Sequence, residues 1–320
     1  MSRDMLIALG GGVLSGLISL AFVAGIPGAM LAVYLTPLPL LMIGLGMGLR
    51  FETVAGLAGV VTAGVAGGPF SGLLYALIYG LPVWLVVRLA LTRHQVSDGS
   101  GGTTEQWTPT GTILGMLAIM AAALFALAYV LALSQEGGLQ GMIYAILERV
   151  FTLLMPGLQD GERVRILQSM AALFPGYLGM SWVVMTIINA SIALTVLHKM
   201  KAPVRPRSGL SDLVLPDRIS IYFIAAATLA LVGNLLGLGE IAYIGRNMAM
   251  LVGLPFFFLG LAVVHNIARM APYPGIMLIV FYLVLLLSGW VALIVIAAGL
   301  IEQWAGIRRH FKAPGSGSVS

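Results

Sequence analysis

The sequence predicts an all-α fold, a polytopic transmembrane helix bundle of eight or nine spans, and three observations carry that expectation. Hydrophobic residues make up 59% of the 320 residues and charged residues only 9%, with a mean hydropathy of +1.02. A soluble domain carries roughly 25% charged residues, because water must wet its surface; a chain this poor in charge has to face lipid. Apolar stretches recur at about the 20-residue length a helix needs to cross the hydrocarbon core. Lys and Arg gather at the ends of those stretches and in two linkers, the distribution that orients membrane proteins.

Taken in order, the candidate spans are 5–25, 31–49, 53–67, 70–91, 111–133, 173–198, 219–237, 241–267 and 275–303. The first follows Met1, Ser2, Arg3 and Asp4, and no small-x-small cleavage site stands between Ala24 and Ala29, so it reads as a retained span. The stretch 53–67 is short and rich in Gly. Turns are expected at Gly25-Ile-Pro-Gly28, at Gly67-Gly-Pro69 and at Pro272-Tyr-Pro274.

These spans divide the chain into a first four-helix membrane segment (1–91), a cytoplasmic linker (92–110) of disordered-linker composition, and the fifth and sixth spans (111–198). A basic cytoplasmic linker (199–218), the C-terminal spans (219–305) and a flexible tail (306–320) follow. Within 134–172, Val164, Leu167, Ala171 and Phe174 share a helical face, as an interfacial helix would require.

With Arg3 inside, Arg50 and both linkers fall on the same side, which makes the N-terminus cytoplasmic and the setting a cytoplasmic (inner) membrane. Nine crossings would put Arg308, Arg309 and Lys312 outside and eight would put them inside; eight is the reading taken.

The net charge of +5 has no aromatic-interleaved basic face behind it, so nucleic acid is excluded as a partner. Absent cysteine excludes disulfides, thiolate metal sites and cysteine nucleophiles. No His-Glu-x-x-His, Gly-x-Ser-x-Gly or P-loop motif is present, and His94, His198, His265 and His310 do not group at metal-ligand spacing. No Asp lies inside a proposed span. Neither a catalytic constellation nor a metal or cofactor site is expected, and the chain reads as a non-enzyme.

Small residues at four-residue spacing let helix backbones approach. Such pairs are Gly12/Gly16, Gly44/Gly48, Gly64/Gly68, Gly111/Gly115 and Gly233/Gly237. Ordinary helix packing is the commoner reason for any one such pair, and packing around a cavity is the other; together they argue for a compact bundle. Pro37 and Pro39 interrupt the second span, and Gly253, Pro255 and Gly260 the eighth. Broken helices expose backbone groups that transporters use to hold substrate, although neighbours can simply satisfy them again.

Ionisable groups in a bilayer are expensive, so the polar ones are informative. Arg50 and Glu52 flank the third span, where the two can pair or Arg50 can snorkel to water. Asn189 lies well inside the sixth span, where a packing hydrogen bond and a ligand contact are both open. Asn234, Glu240, Arg246 and Asn247 gather around the turn between the seventh and eighth spans and, with Asn189, are the candidate ligand contacts; Glu240, Arg246 and Asn247 are the candidate outward-facing polar pocket. Arg88, Arg269 and Glu302 sit at span ends, where side chains snorkel to water.

The run Phe258-Leu-Gly-Leu-Ala-Val263 and the closing segment Gly299-Leu-Ile-Glu-Gln-Trp-Ala-Gly-Ile-Arg-Arg309 carry a resemblance. The chain resembles the YybS-like family of predicted bacterial membrane proteins, a domain of unknown function, with Glu302 where Asp is expected. The family is similar, distantly, to substrate-binding subunits of energy-coupling-factor transporters. That resemblance implies a small-molecule substrate and a membrane protein partner beside the lipid bilayer, and Gly12, Ser15, Gly16 and Ser19 would suit close docking. The competing expectation is a scaffold or assembly factor acting through the two linkers.

Overall fold

A computed structural model describes residues 2–21, 29–97, 103–154, 160–202, 205–206 and 209–309. The turn expected at Gly25-Ile-Pro-Gly28, part of each linker (98–102, 203–204 and 207–208), residues 155–159 and the tail from His310 onward lie outside the described residues.

The chain divides into two compact units. One holds Met1–Leu117 with Trp182–Ser208, and the other holds Ala118–Ser181 with Gly209–Ser320. In the first, α1 (Arg3–Leu20), α2 (Ala29–Tyr34), α3 (Pro37–Met47), α4 (Leu49–Gly67) and α5 (Pro69–Tyr75) follow one another. A π-helical turn (Ala76–Gly80) leads from α5 into α6 (Leu81–Leu91).

Gly12 and Gly16 let α1 lie directly on α4. A Cβ on Gly12 would collide with the carbonyl of Ala55, and one on Gly16 would press on the carbonyl of Gly59. The partners advance together along both helices, so α1 and α4 run parallel. Parallel neighbours in a membrane require the chain to come back across between them. Only the segment holding α2 and α3 can make that return, although it is short. It is no single helix: a turn at Leu35 and Thr36 separates its halves, and Pro37, with no N–H to give, opens α3 at the first helical position. Gly44 on α3 faces Val87 of α6 and the Cβ of Glu52. Gly48 has a different use: its φ of 104° makes the turn into α4, with open space around it.

The linker 92–110 corrects its expected disorder. Residues Arg93–Ser97 (β1) and Thr103–Trp107 (β2) pair antiparallel, with Arg93 opposite Trp107. The Arg93 guanidinium lies 4.2 Å from the Trp107 ring centre and 3.0 Å from Glu105, cross-strand contacts of the kind that hold a hairpin together.

Helices α7 (Thr110–Leu131) and α9 (Asp160–Lys199) each have residues in both units. With 40 residues, α9 is about 60 Å long at 1.5 Å per residue, roughly twice the hydrocarbon core.

In the second unit, α8 (Gly138–Leu154) covers the first part of α9. Leu147 packs with Leu167 and Ala171, flanked by Ile143, Tyr144, Phe151 and Phe174. The face expected on a membrane-surface helix is therefore occupied by another helix at Leu167 and Ala171, while Val164 stays 38% exposed.

Helices α10 (Arg218–Leu235) and α11 (Gly239–Ala268) form an antiparallel hairpin turned at Gly237, φ 68°. Gly233 meets Ala242 and Gly245 meets Ala230. On α11, Gly253 faces the Phe223 ring, and a Cβ on Gly260 would collide with the carbonyl of Val295; Gly299 meets the carbonyl of Phe256 in return. Pro255 sits inside a continuous α11, so of the two spans expected to break only the second does. The last candidate span is two helices, α12 (Pro274–Leu287) and α13 (Gly289–Ala305), with a 119° bend between them.

Among the described residues, seven helices are long and apolar enough to cross a membrane, and eight if the bent pair is one span. Leu31, Val65, Phe70, Leu286 and Leu287 are each at least 70% exposed, the outward apolar surface that lipid covers.

Candidate functional site

The break between α2 and α3 organises the polar interior of the first unit. Leu38 donates to the Leu35 carbonyl at 3.0 Å, so the Tyr34 carbonyl loses the partner a continuous helix would supply. The Asn189 side-chain amide takes that place, donating to the Tyr34 carbonyl at 2.7 Å and to Met185 of its own helix at 2.8 Å. The Thr36 carbonyl accepts from the Ser15 hydroxyl at 2.7 Å, and Ser15 accepts from the Tyr75 hydroxyl at 2.7 Å. Tyr75 is the last residue of α5 before the π-helical turn, a distortion often found at functional sites. The Ile78 carbonyl inside that turn accepts from the Trp182 indole at 2.8 Å.

Glu52 lies along the same groove of α4. Its Oε1 extends toward Gly56, and the Tyr75 hydroxyl covers Gly59 about one turn further on; the two glycines make room for these side chains. The Glu52 side chain is 1% exposed, and its Oε2 is buried with no hydrogen-bond partner. Of the two readings open for Arg50, pairing with Glu52 is not the one found. Positions two apart on a helix point to opposite sides, so Arg50 stays exposed while Glu52 turns inward.

The residues expected as ligand contacts or as an outward polar pocket are placed differently from one another. Asn247 is fully buried and faces α9, accepting from the Gly176 N–H at 2.8 Å and donating to the carbonyls of Ala172 (3.0 Å) and Tyr243 (2.9 Å). Glu240 accepts from the Tyr129 hydroxyl at 2.8 Å, beside Phe125 and Tyr243, whose ring centres are 6.1 Å apart. Arg246 and Asn234 are exposed. One helical face carries 240, 243 and 247; Arg246 points off it.

Glu302 is not a surface residue. It is 6% exposed, and it accepts from the Arg308 Nε at 2.8 Å and from the Arg308 backbone N–H at 2.9 Å. Arg308 also donates to the Leu213 carbonyl (2.8 Å), and Gln303 donates to the Leu215 carbonyl (3.2 Å). The acidic and basic residues of the closing segment thus fasten the end of α13 to the stretch before α10.

Ser15, Thr36 and Tyr75 escape a sequence reading as a site, because a lone Ser or Tyr in an apolar stretch carries no spacing signal. The available hint was Ser15 lying on the Gly12/Gly16 face.

Long apolar helices packed through glycine, with lipid-facing side chains outside, define a polytopic α-helical membrane protein. The chain belongs to the predicted membrane protein family DUF2232, whose model matches residues 13–302. No curated protein and no solved structure matches it.

Proposed function

We propose that the protein binds or transports a small solute, at the groove where Glu52 lies beside Tyr75, Ser15 and the interrupted α2–α3 segment. The observation that carries this reading is the Glu52 carboxyl group, 1% exposed and with a buried oxygen that no described residue satisfies. A carboxyl group buried without a partner is costly, and among the described residues no structural bond accounts for it. Ser15 and Asn189 have one, since Asn189 satisfies the Tyr34 carbonyl freed by the break and Ser15 donates to the Thr36 carbonyl. The ligand suited to this groove presents a hydrogen-bond donor or a positive charge to Glu52. A binding subunit of the transporter kind, needing a membrane partner and carrying out no covalent chemistry, fits that arrangement. We place the N-terminus in the cytoplasm and the protein in a bacterial inner membrane on the Lys/Arg distribution.

The test is a thermal-stability screen of the purified full chain against water-soluble vitamins, run in parallel on Glu52→Gln. A compound that raises the apparent Tm of the wild type and not of the variant supports the proposal. Equal responses in the two proteins contradict it.

A second reading, a scaffold acting through its linkers, draws on the ordered hairpin of β1 and β2. Deleting residues 95–106 abolishes function under that reading and leaves solute binding intact under the first.

A further inference from the structure

Arg205 is a buried cation that the Glu52 groove does not use. It is 5% exposed. Its Nη2 donates to the Thr108 carbonyl at 3.1 Å, while its Nη1 is buried and has no partner. Burial also lowers the basicity of the guanidinium from the ordinary arginine value.

Among the described residues, those recorded around it are neutral or basic. Thr108 donates its hydroxyl to the Thr92 carbonyl at 3.2 Å and stands 3.2 Å from the His94 Nε2. The one acid in β1 and β2, Glu105, is exposed and held by Arg93. A buried guanidinium without a counter-charge is strongly disfavoured, so the charge calls for an anion from outside the chain. The guanidinium fork suits phosphoryl oxygens in particular.

Position narrows the source. Thr92 directly follows α6, and Thr108 stands just before α7. Both helices are candidate membrane spans, and their ends lie at the level of lipid headgroups.

We propose that Arg205, with His94 at the rim, binds a phosphoryl oxyanion, supplied by an anionic phospholipid headgroup or by phosphate in solution. The site is separate from the Glu52 groove and stands whether or not that groove binds a solute.

The experiment uses the full chain in nanodiscs of phosphatidylcholine. One arm adds phosphatidylglycerol to the bilayer, and the other titrates inorganic phosphate into the buffer, with apparent Tm as the readout. At least one source stabilises the wild type, and Arg205→Gln weakens the response roughly tenfold or more in concentration, the scale of a hydrogen bond to a charged group. Arg205→Lys keeps part of it, and Arg93→Gln and Glu52→Gln leave it intact. A response to phosphatidylglycerol alone identifies the headgroup as the source, and one to phosphate alone identifies the free anion. The proposal is overturned if neither source acts on the wild type, or if Arg93→Gln loses as much as Arg205→Gln. Should Arg205→Gln fail to fold, the wild-type titrations and Arg205→Lys still decide the matter.

Discussion

Asn247 sets its side-chain amide between the Gly176 N–H and the Ala172 carbonyl, two groups that an undisturbed helix would bond to each other. Pro175, inside α9, explains the need. Its ring crowds the preceding turn and removes one backbone donor, and an amide with both donor and acceptor can bridge the loosened ladder. Asn189 serves the break before Pro37 in a related way. In each case an Asn answers a proline on another helix, as lipid-embedded backbone requires.

Replacing Asn247 by Leu keeps the volume and removes the bridge. We expect a loss of about 1–3 kcal/mol, the cost of buried backbone groups left unsatisfied, read as a lower midpoint in detergent unfolding. Asn234→Leu, at an exposed position, serves as the comparison and leaves the midpoint unchanged.

Neighbouring glycines on α1 should behave in opposite ways. Gly12→Ala drives a methyl into the Ala55 carbonyl, whereas a methyl at Gly10 meets nothing within 4 Å. Gly12→Ala therefore lowers the apparent Tm. Gly10→Ala holds or raises it, since Ala is the better helix former by about 1 kcal/mol.

Breaking the Glu302–Arg308 pair through Arg308→Ala leaves a buried carboxylate behind. The expected loss is about 3 kcal/mol, the lower end of the range for stranding one partner of a buried pair. Limited proteolysis should report it as faster cleavage near 210–217, where Arg308 and Gln303 hold the chain.

How much of this was legible in the sequence depended on whether the signal was local. Composition and span length carried the membrane fold, and Pro37 marked the interrupted segment, because each acts through its own residues. The hairpin did not show itself: Gly and Ser between 98 and 102 dominated the composition, while the evidence for pairing was the cross-strand match of Arg93 with Trp107 and Glu105. The pocket drawn from Glu240, Arg246 and Asn247 grouped residues by nearness in the chain, and one helix turns Arg246 away from Asn247. For Glu52, a pairing with the nearest opposite charge rests on the same nearness in the chain. Its actual neighbours, Tyr75 and Gly44, come from two other helices, which no local pattern announces.

The parallel contact of α1 with α4 fixes a topology that can be labelled directly, since the chain has no cysteine. Ser2→Cys and Arg50→Cys should react with an impermeant maleimide from the same face of sealed vesicles, and Phe70→Cys from the opposite face. Reaction of Ser2→Cys and Arg50→Cys from opposite faces would show that α2 and α3 do not cross.

The most direct measurement is the thermal stability of Glu52→Met in the absence of any solute. A carboxylate kept for binding, with no partner in the fold, weakens the structure that holds it. An apolar side chain of similar volume should therefore raise stability by about 1–3 kcal/mol, the cost of a buried polar group left unsatisfied. A fall in stability would mean that Glu52 supports the fold, and the case for a binding groove there would be lost.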